Sequence, residues 1–400
     1  MQILMEHGIF IPNNVFMLRH ISCLAGIIAI LCCVTACNHR SATNAQADGP
    51  MKTIKITDSD LKKEYRMHDI IQSIELIPLE TSDSCLVSMV RDPLFTADHI
   101  YIKSGGGILI FDRNGRFIRR FNRRGRGPQE YTALSSFFLN DLGGFTILDG
   151  PGQKILVYNQ IDSCVMMQRM SVQAGPMVSI GDNLILCSNP TKQPLFIWDM
   201  AKEKVTAELL PLDETRIRIP LHTFWQHAGK TYFFPIRQSD IYTVTANGIS
   251  GGWHFDFGSR TLTGDPLIPG QYGYNMPEGS AWISNFLESD QHVYLTVQLT
   301  GESPVKVYFI YYSKTTSEIR TMTYANIDNA VFRPGFLDVT PEGRFVEIQD
   351  AISLLAQTQN WDELLSDPED RALLESVKAQ MANVNPEDNP VICIYTLQDF

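Results

Sequence analysis

The feature that most constrains this chain is a recurring unit of two short apolar strands around a polar turn. Ile100–Ser104 with Ile108–Asp112 (IYIKS…ILIFD) is the first. Phe145–Asp149 with Ile155–Asn159, Leu184–Ser188 with Leu195–Asp199, and Thr231–Pro235 with Asp240–Val244 follow. Val293–Val297 with Val305–Tyr311 and Phe332–Val339 with Arg344–Gln349 complete the series. Runs of Val, Ile, Tyr and Phe bounded by Gly, Asn and Asp read as strands joined in hairpins. The units recur about every 40 to 45 residues, with one longer interval before Val293, which is the size of a four-stranded propeller blade. The expected fold is all-β: a six-bladed β-propeller of four-stranded antiparallel blades.

Assigning strands a to d, from the inside outwards, makes the pattern regular. Blade 1 reads as Leu86–Phe95, Ile100–Lys103, Ile108–Phe111 and Phe117–Phe121, and blade 4 as His222–His227, Thr231–Pro235, Ile241–Val244 and Trp253–Phe257. Blade 6 offers Phe336–Thr340 and Arg344–Ile348, then a break, then Val391–Leu397, and lacks a fourth strand. Ile71–Leu79 (IQSIELIPL) precedes blade 1 and has no blade of its own. It is predicted to close the ring, removing the open edges a linear repeat would leave. The break, Ala351–Asn385, is predicted to be a helical insertion serving as a lid or edge cover. Asp367-Pro368-Glu369-Asp370 has the cap, proline and acids of a helix start, and Leu373, Leu374, Val377 and Met381 follow at helical spacing.

The amino-terminal stretch is of another kind. Ile21–Ala36 is an uncharged, mostly apolar run of 16 residues behind Arg19 and His20. A spanning helix wants about 20 such residues, so the run reads as the apolar part of an export signal. It ends in Val34-Thr35-Ala36-Cys37, which resembles the bacterial lipobox, and this resemblance implies cleavage before Cys37 and lipid on its sulfur. The expected organisation is a signal peptide at 1–36, a lipidated flexible tether at 37–64 and the propeller at 65–400. Asn38 in place of Asp after the cysteine, and no acidic run behind it, point to the periplasmic leaflet of the outer membrane. Beyond Cys37 the cysteines are Cys85, Cys164, Cys187 and Cys393, with no CxxC pair. Clustered metal ligands are therefore not expected, and buried strand cysteines are favoured over disulfides.

Ile108–Tyr131 (ILIFDRNGRFIRRFNRRGRGPQEY) resembles the signature of the six-bladed β-propeller lipoproteins of Bacteroidetes, in which a blade 1 hairpin precedes a Gly-x-Gly-Pro-Gly-Glu-Tyr-like loop. Gly125, Gly127, Pro128, Glu130 and Tyr131 match, and Gln129 stands where that pattern has Gly. Ile74–Glu80 and Asn389–Leu397 resemble its closing strands. The likeness spans Tyr65 to the end and implies fold and compartment, without a shared activity.

With 44% hydrophobic residues the chain can build a large core, and its net charge of −11 argues against nucleic-acid binding. Against that acidity, Arg113, Arg116, Arg119, Arg120, Arg123, Arg124 and Arg126 place seven arginines in fourteen residues. Guanidinium forks suit carboxylates, sulfates and phosphates. Arg123, Arg124 and Arg126 fall in the d-to-a connection of blades 1 and 2, on the face where propeller loops meet ligands. Tyr272, Tyr274 and Trp282 lie in or just after the connection of blades 4 and 5, three blades away, and could stack on a sugar or peptide. These six are the candidate ligand residues, for an acidic glycan, an anionic peptide or an envelope protein. His222 and His227, flanking Trp225, point to opposite faces of one strand and so read as core or channel-wall residues. Asp338 and Glu288 are acids on inner strands that form no recognisable catalytic set. The expected function is a membrane-tethered binding module without cofactor, metal or turnover. The alternatives are a lactonase-like or glycan-cleaving propeller and an envelope scaffold.

Overall fold

The structure, a computed structural model, describes residues 49–400 apart from 89, 183, 189–194, 210–223, 236–238, 263–276, 303–305, 324–334 and 359–366. Chain order begins with β1 (Met51–Lys55), α1 (Asp58–Lys62), α2 (Met67–Ile70) and β2 (Ile71–Pro78). Blade 1 is β3 (Arg91–Phe95), β4 (His99–Ser104), β5 (Gly107–Asp112) and β6 (Phe117–Phe121), and blade 2 is β7 (Ser136–Leu139), β8 (Phe145–Asp149), β9 (Lys154–Tyr158) and β10 (Cys164–Arg169). Blade 3 follows as β11 (Met177–Gly181), β12 (Leu184–Ser188), β13 (Leu195–Asp199) and β14 (Lys204–Leu209). Blade 4 holds β15 (Phe224–His227), β16 (Lys230–Phe233), β17 (Asp240–Thr245) and β18 (Gly248–Asp256). Blade 5 holds β19 (Ala281–Glu288), β20 (His292–Leu299), β21 (Val307–Ser313) and β22 (Ile319–Thr323). Blade 6 supplies β23 (Asp338–Val339) and β24 (Phe345–Gln349), then α3 (Ala351–Thr358) and α4 (Pro368–Gln380), then β25 (Val391–Leu397).

Burial explains why each run takes its place. In β5, β8 and β13 nearly every residue is buried, because a middle strand is covered by the neighbouring blade on each face. The outer strands β6 and β14 alternate, with one face against a neighbour and one in solvent. A buried apolar cluster fills each of the six seams between successive blades, so the ring is continuous. The order β2-β25-β24-β23 makes β2 the outer strand of blade 6, the closure predicted above. Its far end meets blade 1 where Gly115, at φ 80°, leaves no room for a Cβ, which would lie 2.3 Å from the Pro78 carbonyl oxygen.

The insertion is helical, as predicted, and it covers an edge. Asp367 caps α4, accepting from the backbone N–H of Glu369 and Asp370. Leu374, Val377 and Met381 are buried against blades 5 and 6. From its last turn, the Gln380 amide accepts from the Leu76 N–H at 2.8 Å and donates to the Ile74 carbonyl at 3.0 Å. It thus occupies free hydrogen-bonding groups of β2. Cys85, Cys187 and Cys393 are buried and Cys164 half-buried, and all four are free thiols.

One boundary moves. Residues 51–64, expected in the tether, are structured. β1 lies parallel to β18 as a fifth strand of blade 4, with Met51 opposite Gly252 and Lys55 opposite Asp256. Ile54, Ile56 and Leu61 join the cluster between blades 4 and 5, and Thr57 and Asp60 form a capping box at α1. The burial of three apolar side chains is what ties the segment down.

Candidate functional site

The arginine-rich connection is built mainly as a staple between blades 1 and 2. Tyr131 is fully buried; its hydroxyl donates to the Gly106 carbonyl at 3.0 Å and accepts the Arg123 N–H at 3.1 Å. The Glu130 carboxylate folds back to accept the Gly127 N–H at 2.8 Å. A Cβ on Gly125 would lie 1.9 Å from that carboxylate, which is why glycine stands there. Lys154 donates to the Glu130 carbonyl, and the Tyr158 hydroxyl to the Gln129 carbonyl at 2.8 Å. Only the backbone of Gln129 is used, so its departure from the Gly of the signature costs nothing in this network.

Most of the arginines are likewise committed. Arg119 binds both oxygens of Asp162 at 2.8 and 3.0 Å, and Arg123 donates to the Asp162 carbonyl at 3.0 Å. Arg120 reaches the Gly105 carbonyl at 3.0 Å, and Arg113 the Thr96 carbonyl at 2.9 Å. Arg124 and Arg126 are exposed, and their guanidinium groups meet no acceptor among the described residues. Trp282 is half-buried on β19, opposite Gln298. Tyr272, Tyr274 and His222 lie outside the described residues. His227 is on the opposite face, its Nε2 2.9 Å from Asp290, beside a hollow of about 520 Å³ lined by Gln226, Lys230 and Thr245.

A second candidate is the central channel. Inner strands β3, β7, β11, β15 and β23 enclose a cavity of about 190 Å³ walled by Leu94, Phe137, Phe138, Phe224 and Trp225, among others, with Asp338. Asp338 is the only titratable side chain among the described lining residues. One of its oxygens accepts the Val339 N–H at 2.8 Å. Burial pushes its pKa up to about 8, against the opposing pull of that hydrogen bond. A second inner-strand acid, Glu288, sits in the seam of blades 4 and 5. It accepts from Lys314 at 2.6 Å and Trp253 at 2.8 Å. Burial raises its pKa, but Lys314, Tyr232 and Trp253 together outweigh that and hold it below the ordinary value. The sequence singled out both acids. Phe137, Phe138 and Phe224, which border the cavity while packing into the seams beside it, were missed, since nothing in an apolar inner strand marks which of its residues also reach the channel.

A third cluster joins His68 to Asp367 and Asp370. His68 Nδ1 lies 2.9 Å from Asp370, whose same oxygen accepts the His68 N–H at 2.8 Å. Asp367 caps α4 and pairs with Arg66 at 2.8 Å. Each of the three already has partners within the protein, and their arrangement is that of a clasp between α2 and α4.

The family described as a domain of unknown function, DUF4934, matches residues 51–396. The chain belongs to it. The DUF4934 match begins at β1, the strand the tether reading had left out. A search of curated proteins finds no match to this sequence. In structure the chain is similar to an exported protein of Bacteroides fragilis, 17% identical with a TM-score of 0.68, covering 87% of this chain and 100% of that one. It is also similar to a DUF4221-family member of Bacteroides vulgatus, 10% identical with a TM-score of 0.49, covering 84% and 100%. The virginiamycin B lyase of Staphylococcus aureus matches at 8% identity and a TM-score of 0.37, covering 62% and 87%. The first likeness shows a shared fold for this DUF4934 chain. The other two carry no argument.

Proposed function

We propose that this DUF4934 protein is a lipid-tethered binding module of the bacterial cell envelope, held by lipid on Cys37 in the periplasmic leaflet of the outer membrane. It binds its ligand without chemical turnover. The observation that carries this reading is the pair Arg124 and Arg126, exposed on the connection of blades 1 and 2 with no acceptor for their guanidinium groups among the described residues. Arg124 and Arg126 remain available at the loop face for the carboxylates or sulfates of an acidic glycan or anionic peptide.

Two measurements test the reading. Metabolic labelling with a fatty-acid analogue is expected to mark the protein, and Cys37→Ser to abolish both the label and membrane fractionation. Calorimetric titration against acidic glycans, anionic peptides and small amines is expected to yield a ligand recovered chemically unchanged. A ligand recovered cleaved would replace the binding module with an enzyme.

A further inference from the structure

Of the six buried acids among the described residues, Asp149, Glu288 and Asp338 meet different fates. Asp149 is fully buried and accepts the Thr132 hydroxyl and the N–H groups of Thr132, Ala133 and Gly152, with Lys154 3.8 Å away. Glu288 has Lys314 and Trp253. Asp338, with 8% of its surface exposed, has the N–H of its own neighbour Val339 and, among the described residues, no cation. Its second oxygen has no partner among them and opens on the channel. A buried carboxylate without a counter-charge is costly, and burial raises the Asp338 pKa to about 8.

What surrounds it is specific. Phe137, Phe138, Phe224 and Trp225 border the same cavity, each packed in part into a seam beside it, so the walls around the carboxyl are largely apolar. Among the described lining residues there is no Lys, Arg or His. An anion would face the carboxyl unfavourably, and a neutral molecule would gain nothing from Asp338 becoming charged. The volume, about 190 Å³, exceeds the roughly 150 Å³ cavity known to accept benzene, which leaves room for one ring bearing a short ammonium.

We infer that the channel cavity is a site for a small organic cation, an ammonium carried on an aryl or branched alkyl group, with Asp338 as its counter-charge and Phe137, Phe138, Phe224 and Trp225 as its walls. The inference rests on the binding reading above and names a ligand class for the channel. Binding the cation ionises Asp338, so association releases a proton to solvent.

The probes are benzylammonium, its neutral analogue benzyl alcohol, benzoate, and tetramethylammonium, which has no titratable proton. With the full chain, benzylammonium is expected to bind and benzoate not to. Affinity for tetramethylammonium is expected to rise about tenfold per pH unit below the carboxyl midpoint and to level off above it. Asp338→Asn is expected to weaken benzylammonium at least about tenfold while leaving benzyl alcohol unchanged. Should that variant fail to fold, the pH profile of the unaltered protein decides alone. A flat tetramethylammonium profile, or benzyl alcohol binding as tightly as benzylammonium, would overturn the cation site and leave a neutral-ligand channel standing. If no probe enters while acidic glycans or anionic peptides still bind, the channel inference fails and the binding module survives.

Discussion

β1 and β2 come from neighbouring stretches of chain and both end as outermost strands, yet only one of them belongs to the ring. β2 pairs antiparallel with β25 along its whole length, from Ile71 opposite Leu397 to Pro78 opposite Val391. It buries Ile71, Ile74, Leu76 and Ile77 in the two seams on either side of blade 6. β1 adds in parallel to a blade that is already complete, and within it only Ile54 is buried. A propeller whose last blade is made from both chain ends cannot lose either end without opening. A blade with a fifth strand can lose that strand and remain a blade.

Cutting the chain at each place breaks the comparison open. Truncation after Pro390 removes β25, six of whose seven residues are buried, and leaves β2 and β24 without the strand between them. The expected result is loss of cooperative melting and of soluble protein. A truncated chain that melts as sharply as the full one would refute the closure. Deleting residues 49–56 removes Ile54 and Ile56 from one seam, each a burial of about 1.5–3 kcal/mol. The expected result there is a melting temperature several degrees lower with the transition and far-ultraviolet circular dichroism retained. If both deletions unfold the protein alike, β1 is as integral as β2 and the distinction drawn here is void.

How legible each region was in the sequence follows from the same burial. Ile71–Leu79 announces itself through five apolar residues within nine positions and through the vacancy in blade 6. Met51–Lys55 (MKTIK) has one inward side chain between two lysines, so its strand character comes from the β18 edge beside it. A tether is a fair reading of that composition. The arginine cluster stood out for the opposite reason. Seven like charges are conspicuous, but four of them are held by the Thr96 and Gly105 carbonyls of blade 1, by Asp162 of blade 2 and by Glu342 of blade 6, partners that only the folded ring brings alongside. The channel was legible by residue, through Asp338, and not by environment: nothing in the sequence separates an acid with its lysine from an acid with none. The helix start at Asp367-Pro368 was readable, whereas its use in gripping the amino-terminal strand was not.

That grip gives the smallest expected effect, and it sharpens the comparison at the point where the chain enters β2. Among the described residues, the charged groups facing His68 are contributed by α2 and its cap or by the start of α4: Arg66, Asp69, Asp367, Glu369 and Asp370. Gln398 completes the surroundings by donating to the His68 carbonyl at 3.2 Å. Burial pulls the His68 pKa down, but the hydrogen bond and charge of Asp370, with the charges of Asp69 and Asp367, outweigh it and hold it above the ordinary value. A raised histidine pKa means that the folded state binds the proton more tightly. The clasp therefore contributes in full below the unfolded histidine value of about 6.5, and its contribution is lost as pH rises through the higher folded value. Asp338, raised to about 8, adds a slope of the same sign over its own window, so the unaltered protein alone cannot isolate His68. The difference between it and His68→Gln can. Melting temperatures measured from pH 5.5 to 8.5 are expected to fall less steeply in the variant, with the two curves converging at the alkaline end. Curves that stay parallel would show that His68 holds β2 by packing and its backbone N–H alone, and not by charge.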